Sequence, residues 1–411
     1  MGINTLCVIG LGYIGLPTSV VFADHGVRVY GVDVRAESVA AINAGQAPFI
    51  EADLAQRLSA VVESGMLTAS MEPCRADATI IAVPTPFLAD KSADLSYIQA
   101  AVTELAPYLY DGALVILEST SPPGATQKLG TWIAQARPDL VDDSGNLSVD
   151  IAHCPERVLP GRVMVELVTN DRIVGGLTPA AAARAQELYS IISKAAILPT
   201  DSMTAEMAKC VENSFRDVNI AFANELSVIC DNLGIDVWEV IELANHHPRV
   251  NILSPGPGVG GHCVAVDPWF IVAADPSDAR IIKMAREVND DKPGWVVKKV
   301  QDAAAGKTAP IIAALGLAFK PNIDDLRESP ARHITGNLAK AFPQGRILVV
   351  EPNITQLPAE LEAMPNVELS GYAQALEQAE IVVLLVDHAE FLEKPALTEK
   401  IDIIDTRGIW R

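Results

Sequence analysis

Positive charge is what this sequence has least of. Its 31 Lys and Arg stand against 52 Asp and Glu, a formal net charge of −21. Such a surface repels phosphodiester backbones and anionic headgroups, so nucleic acid and membrane are excluded as main partners. Paired cysteines are lacking too. The six cysteines, at 7, 74, 154, 210, 230 and 263, form no Cys-x-x-Cys and no Cys/His cluster. That excludes the usual zinc spacings, and no metal is expected. Scattered single thiols suit a reducing cytoplasm. No apolar run approaches the length that spans a bilayer, and the chain opens on an apolar strand without a basic stretch or cleavage site. Neither a membrane span nor a signal peptide is therefore expected.

What is present is a globular composition, 49% hydrophobic and 20% charged, over 411 residues. That length is too great for one ordinary core and implies two or three domains. An anionic substrate would have to be met by individually placed Arg and Lys, so basic residues in loops become informative.

Residues 5–9 read as a buried parallel strand, followed by Gly10-Leu11-Gly12-Tyr13-Ile14-Gly15 and a helical stretch to about Ala23. A second strand, 27–32, ends in Asp33. This is a complete βαβ dinucleotide fingerprint. The first glycine makes the turn, the second admits the pyrophosphate, and the third packs helix on strand. The helix N-terminus faces the phosphates and Asp33 takes the ribose hydroxyls. Asp33 would repel a 2′-phosphate, which favours NAD over NADP, although Arg35 is close by.

Strands alternate with helices at 78–83, 114–118, 149–152 and 172–175. The first three end in polar loops: Pro84-Thr85-Pro86, the 118–124 segment Glu118-Ser119-Thr120-Ser121-Pro122-Pro123-Gly124, and Cys154-Pro155-Glu156-Arg157. Ligands in open α/β sheets lie at the carboxyl ends of strands, which makes these loops candidate site walls. Residues 203–233 then read as one long helix. Met207, Val211, Val218, Phe222, Leu226 and Ile229 form an apolar stripe, with Lys209, Asn213 and Arg216 on roughly the opposite face. Those three are either an ordinary solvated face or polar groups of a site, where a lysine stabilises an oxyanion or moves protons. Asn245-His246-His247-Pro248-Arg249 follows, and adjacent histidines without acids do not make a metal site. His247 and Arg249 read either as substrate contacts or as a plain surface turn.

The next segment places four glycines in six residues, Gly256-Pro257-Gly258-Val259-Gly260-Gly261, before His262-Cys263 and then Asp267. Glycines allow positive φ and close approach of a ligand. A thiol at the start of the apolar helix that follows would have a lowered pKa and serve as a nucleophile. The other reading is an inert buried cysteine beside a glycine turn. A helical stretch at 278–304 leads to a second α/β half, with strands at 310–315, 346–350, 381–386 and 401–404. Its first strand runs into Gly316-Leu317-Ala318-Phe319-Lys320 and Asp325-Leu326-Arg327, and its last into Asp405-Thr406-Arg407. The expected fold is α/β, with two Rossmann-like doubly wound domains, at 1–200 and 305–411, joined by a central helical segment, 201–304.

In their order along the chain, the glycine fingerprint, Cys154-Pro155-Glu156-Arg157, Lys209 with Asn213, the Gly-Gly-His-Cys loop and the Gly316–Arg327 motifs resemble the UDP-glucose/GDP-mannose dehydrogenase family over essentially the whole length. The 246–270 stretch is most similar to the bacterial branch that acts on UDP-N-acetyl-D-mannosamine. UDP-glucose enzymes carry a Lys-Asp pair after the cysteine, and this chain has Val266-Asp267. The resemblance implies oxidation of a sugar C6 alcohol to a carboxylate in two hydride transfers to NAD. By the same resemblance, Cys263 would capture the aldehyde as a thiohemiacetal, which would become a thioester and be hydrolysed. It implies NAD contacts from Gly10, Gly12, Tyr13, Ile14, Gly15, Asp33, Thr85, Thr126 and Arg327. Lys209 would stabilise oxyanions, Asn213 would hold the reacting oxygen, and Glu156 and Asp267 with Thr120 would position or activate water. Substrate contacts would come from Arg157, Val158, Lys209, Asn213, Arg216, His247, Arg249, Gly260, Phe319, Lys320 and Arg407.

The resemblance further implies a UDP-N-acetyl sugar substrate, a homodimer through the central helices, and a cytoplasmic role in surface polysaccharide synthesis akin to enterobacterial common antigen. UDP-N-acetylglucosamine and UDP-glucose differ only at C2 and remain alternative substrates. A two-electron dehydrogenase of the 6-phosphogluconate type needs neither the cysteine nor the second α/β half. A non-catalytic nucleotide-sugar sensor needs neither Cys263 nor Lys209.

Overall fold

A computed structural model of the chain describes residues 2–159, 161–261, 263–396 and 401–411. The chain divides into two compact units, Met1–Glu212 and Asn213–Arg411. The first is built on an eight-stranded sheet of β1 (Thr5–Ile9), β2 (Arg28–Val32), β3 (Leu67–Ser70), β4 (Ala78–Ile81), β5 (Leu114–Leu117), β6 (Asp150–His153), β7 (Arg172–Gly176) and β8 (Ile197–Asp201). Their order is β3-β2-β1-β4-β5-β6-β7-β8. All neighbours run parallel except β6 and β7, which pair antiparallel. Strands β4 and β5 are buried along their whole length, as expected where helices cover both faces. The order reverses between β1 and β4, the point at which doubly wound sheets bind ligands.

The second unit carries a five-stranded parallel sheet of β9 (Ile311–Leu315), β10 (Arg346–Val350), β11 (Val367–Leu369), β12 (Ile381–Leu384) and β13 (Asp402–Asp405), ordered β11-β10-β9-β12-β13. Strands β3, β8 and β11 carry no distinct sequence signal, and each lies at a sheet edge. Edge strands are half exposed and so lack the continuous apolar run that marks a buried parallel strand.

The long helix Ser202–Leu233 carries residues of both units. Its 32 residues contain neither Gly nor Pro, and it stops where Gly234 takes φ 67° and Ile235 N–H bonds back to Cys230 O at 2.9 Å. Its polarity is inverted relative to an ordinary surface helix. Glu206, Asp217, Asn224 and Ser227 are buried, while Val211, Phe215, Phe222 and Ile229 are exposed, Phe215 to 71%. Among the described residues no helix is long and apolar enough to cross a membrane.

Candidate active site

The fingerprint glycines in the first unit divide their work as the motif requires. Gly10 has φ 95°, and a Cβ there would meet Ala82 O at 2.7 Å. A Cβ on Gly15 would fall 1.9 Å from Gly10 O, whereas one on Gly12 meets nothing within 4 Å. The open position is the one a pyrophosphate approaches, so these residues fit a dinucleotide. Asp33 Oδ2 accepts the Leu11 N–H at 3.2 Å, which ties the acid to the turn it serves. Asp33 Oδ1 accepts from Arg35, from its N–H at 2.9 Å and its Nε at 3.3 Å. Arg35 is therefore paired with Asp33.

Tyr13 donates its hydroxyl to Glu51 at 2.6 Å, and Glu51 also receives the N–H groups of Gly161 and Val163, both at 2.9 Å. Glu51 thus fastens the fingerprint to the segment beyond the Cys154–Arg157 motif. No local sequence signal marks it. Ile14 is half buried just before the helix Gly15–Asp24.

The three polar loops do follow three adjacent strands, β4, β5 and β6. Thr85 donates to Thr120 O at 2.6 Å, joining the first two. Thr126 is fully buried, and Glu206 of the long helix takes its N–H at 2.7 Å, its hydroxyl at 2.5 Å and the Gly124 N–H at 2.6 Å. A carboxylate here caps the helix Ala125–Ala136 at its positive end. Arg157 is ion-paired to Glu212 at 2.7 Å and donates to Asp171 O at 3.0 Å; Val158 beside it is half buried. Lys209 is half buried on the long helix and outside any ion pair among the described residues.

The second unit presents the thiol. Cys263 is exposed. It does not begin the following helix, as its sequence neighbourhood suggests, but lies in the turn before it. Its carbonyl accepts the N–H groups of Val266 at 3.0 Å and Asp267 at 2.9 Å. Asp267 opens the helix Asp267–Ala274, where an acid suits the helix dipole, and Asn213 donates to its Oδ2 at 2.5 Å. That bond links the Asn213 face of the long helix to the cysteine turn. His262 lies outside the described residues.

The glycines before the thiol are filled by protein where the sequence suggests room for ligand. A Cβ on Gly256 would meet the Arg407 guanidinium at 2.6 Å, and one on Gly260 would meet Glu328 O and Pro330 at 2.7 Å and Phe319 at 2.8 Å. Gly261 faces the Phe319 ring and donates its N–H to Arg327 O at 3.3 Å. A buried chain holds the loop from the other side. Arg286 Nη1 donates to Asp217 Oδ1 at 2.6 Å, Asn289 donates to the same oxygen at 2.8 Å, Asn224 donates to Asn289 Oδ1 at 2.9 Å, and Gly256 N–H donates to Asn224 Oδ1 at 2.8 Å. None of these four side chains belongs to a recognisable motif.

Arg407 also pairs with Asp387 at 2.8 Å, and Arg327 with Asp325 at 2.6 Å. Arg216, Arg249 and Lys320 are exposed and outside any ion pair among the described residues. His247 and Arg249 contact each other, the Arg249 N–H reaching His247 Nδ1 at 3.3 Å.

The second sheet repeats the fingerprint turn but closes it. Gly316 takes φ 96° and donates to Val350 O at 2.8 Å, matching Gly10, with φ 95° and a 2.8 Å bond to Val32 O. Glu351 stands where Asp33 stands, accepting the Leu317 N–H at 2.8 Å. Here, however, buried His388 occupies the same oxygen at 2.9 Å and Asn353 the other at 3.1 Å. Burial opposes the Glu351 charge, but these bonds outweigh it and hold the carboxyl down at about 2. Here the acid's side-chain partner His388 is fully buried, whereas Arg35 beside Asp33 is largely exposed. Among the described residues, no group of three or more His, Cys, Asp or Glu is placed to hold a metal.

Comparison with known proteins agrees with this division. The sequence pattern of the NAD binding domain of the UDP-glucose/GDP-mannose dehydrogenase family matches residues 4–193, that of its central domain 203–291, and that of its UDP binding domain 313–411. The chain is 53% identical to a UDP-N-acetyl-D-mannosamine dehydrogenase of Escherichia coli strain K12, over 100% of both chains. It is 54% identical to an NDP-N-acetyl-D-galactosaminuronic acid dehydrogenase of Ralstonia nicotianae, over 99% of this chain and 96% of the relative. The structure of a UDP-D-ManNAc dehydrogenase from Pyrococcus horikoshii superposes with a TM-score of 0.87 at 37% identity, covering 99% of this chain and 96% of that one.

Proposed function

Because the chain belongs to the UDP-glucose/GDP-mannose dehydrogenase family, we propose that it oxidises UDP-N-acetyl-D-mannosamine at C6 to the uronate. The observation that carries the chemistry is the exposed Cys263 thiol in a turn tied through Asp267 to Asn213. The Gly10–Gly15 turn and Asp33 would hold NAD, which would supply the hydride acceptor, one molecule for each of the two oxidations. Cys263 adds to the intermediate aldehyde, giving a tetrahedral thiohemiacetal carbon from which the second oxidation proceeds to a thioester. Lys209 stabilises the developing oxyanion and Asn213 orients the oxygen. Glu156, with Thr120 and Asp267, activates the water that releases the acid. Arg216, Arg249, Lys320 and Arg407 meet the diphosphate and sugar, which an otherwise acidic protein must do with local cations.

The Val266-Asp267 pair and the Escherichia coli relative favour the N-acetylmannosamine substrate. The Ralstonia relative, equally similar, supports a second reading in which another UDP-N-acetylhexosamine is used. A panel of UDP sugars assayed by NAD reduction separates them. The expected result is fastest turnover with UDP-N-acetylmannosamine and two NADH per sugar. A ratio of one would remove the four-electron reaction, and preference for another sugar would replace the substrate. The uronate would serve surface polysaccharide synthesis in the cytoplasm.

The working form we propose is a homodimer through the long helix. Its exposed Val211, Phe215, Phe222 and Ile229 have helical spacing and leave an apolar face for a second copy to cover. Phe215→Glu with Phe222→Glu is expected to give a monomer in sedimentation velocity. A wild-type chain that sediments as a monomer at micromolar concentration would remove the dimer.

A further inference from the structure

Three loops follow adjacent strands of the second sheet, at the carboxyl ends where such sheets hold ligands. They are the 316–325 loop after β9, the Glu351 turn after β10 and the 385–389 segment after β12. One imidazole joins all three. His388 is fully buried, and its Nε2 lies 2.9 Å from Glu351 Oε2. That oxygen also accepts the Leu317 and Ala318 N–H groups, at 2.8 and 3.0 Å. On the other side of the ring, Nδ1 accepts the Asn322 N–H at 3.0 Å. Asn322 closes a second bond through its side chain, whose Oδ1 accepts the Ala389 N–H at 2.9 Å. Asp387, one residue before the imidazole, pairs with Arg407 at 2.8 Å.

These partners fix which ring nitrogen carries the proton. The ionised Glu351 can only accept, so the Asn353 side-chain nitrogen at 3.1 Å from its Oε1 is a donor. The same nitrogen lies 3.2 Å from His388 Nδ1. Nδ1 therefore meets two N–H donors and has no proton of its own. The proton sits on Nε2 and is donated to Glu351. The span held between these bonds is short. Leu317 and Ala318 are fastened by Glu351 and Asn322 by His388, which leaves Phe319, Lys320 and Pro321 between them. A Cβ on Gly260 would fall 2.8 Å from Phe319, and Lys320 is exposed.

We propose that His388 is a positioning residue for the nucleotide-sugar site, and that its Nδ1, bare in the Nε2–H tautomer, holds the Phe319–Lys320 span in place before the diphosphate arrives. The inference rests on the proposed contact of Lys320 with that diphosphate. His388 touches no substrate and exchanges no proton. It acts by ordering the loop beforehand, so that binding does not have to fix the backbone around a long lysine side chain. Asp387 holds Arg407 from the same segment, so two of the cations proposed for the diphosphate and sugar depend on residues 387–389.

Two substitutions divide the ring between them. His388→Asn places an amide oxygen near the position of Nδ1 and keeps an acceptor for the Asn322 N–H. His388→Gln places an amide nitrogen near Nε2, so it keeps the donor to Glu351 and loses that acceptor. Binding is measured by calorimetry with UDP as the probe, and by KM for UDP-N-acetylmannosamine. His388→Gln is expected to be about tenfold weaker than wild type, the scale of one lost hydrogen bond, with the loss on KM rather than kcat. His388→Asn should recover binding to within about threefold of wild type. Equal losses in the two variants, or a greater loss in His388→Asn, would show that the imidazole only supports Glu351 and would overturn the proposal. A measurement on the wild-type chain covers the case in which neither variant folds. Its histidine-labelled NMR spectrum should show the His388 proton on Nε2, and a proton on Nδ1 would also overturn the proposal. Lys320→Ala separates the inference from its basis. If that variant binds UDP as wild type does, the diphosphate contact fails. If it binds weakly while His388→Gln binds as wild type does, only the positioning fails.

Discussion

Cys263→Ala is expected to lower uronate formation by about a thousandfold or more, the scale on which loss of a covalent nucleophile is felt. The reasoning starts from the carbon that reacts. After the first oxidation C6 is an aldehyde, whose planar carbon has no hydride to give until a nucleophile or water adds to it. In the proposed mechanism the thiol adds, creates that tetrahedral centre and holds the sugar through the second oxidation. Without it, the reaction is expected to stall after the first NADH, so the yield per sugar falls toward one. The loss is chemical rather than structural. Cys263 is exposed, and removing an exposed sulfur leaves no cavity, so the unfolding free energy should stay within about 0.5 kcal/mol of wild type. Mass spectrometry of the wild-type enzyme mixed with substrate and NAD should find the sugar on Cys263. A variant that converts the sugar fully to acid, with two NADH, would eliminate the thioester.

Arg286→Met should produce the largest stability change, about 3–5 kcal/mol, which is typical when one partner of a buried ion pair is removed. Arg286 is 1% exposed and donates to Asp217, which is fully buried on the long helix. Burial already raises the Asp217 carboxyl, and Arg286 is the strongest influence keeping it down. Removing the guanidinium leaves Asp217 with only the Asn289 amide, in a place where water cannot replace the lost bond. The damage reaches the site, because the same chain continues through Asn224 to the Gly256 N–H and so to the loop that carries Cys263. Denaturant unfolding of Arg286→Met measures the loss. Adding Asp217→Leu should recover much of it, since an apolar pair leaves no stranded charge. An Arg286→Met protein as stable as wild type would show that the network is not under the stress its burial implies.

The two substitutions separate what could be read along the chain from what could not. Gly10, Gly12, Gly15 and Asp33 are interpretable in sequence because backbone geometry dictates them at fixed spacing, and the structure shows the three glycines facing backbone, open space and backbone in turn. The buried strands β1, β4, β5, β9 and β12 are equally plain, since a strand covered on both faces must be continuously apolar. Edge strands β3, β8 and β11 escape notice because nothing requires them to be so.

Cys263, Lys209 and Glu156 are candidates by residue type and order, and family membership followed from the order of the motifs that hold them. What tertiary structure alone decided is where their polar atoms find partners. Asp217, Arg286, Asn289 and Asn224 come from two helices far apart in the chain, and Glu118 meets Arg172 across strands. Each of these pairings depends on burial, which removes water as the alternative partner and makes an unpaired group expensive. Burial is a property of the folded whole. The same holds for Asp33 and Glu351, two acids at the same place in the same turn. Only the side chains packed around them differ: the largely exposed Arg35 in one case and the fully buried His388 in the other.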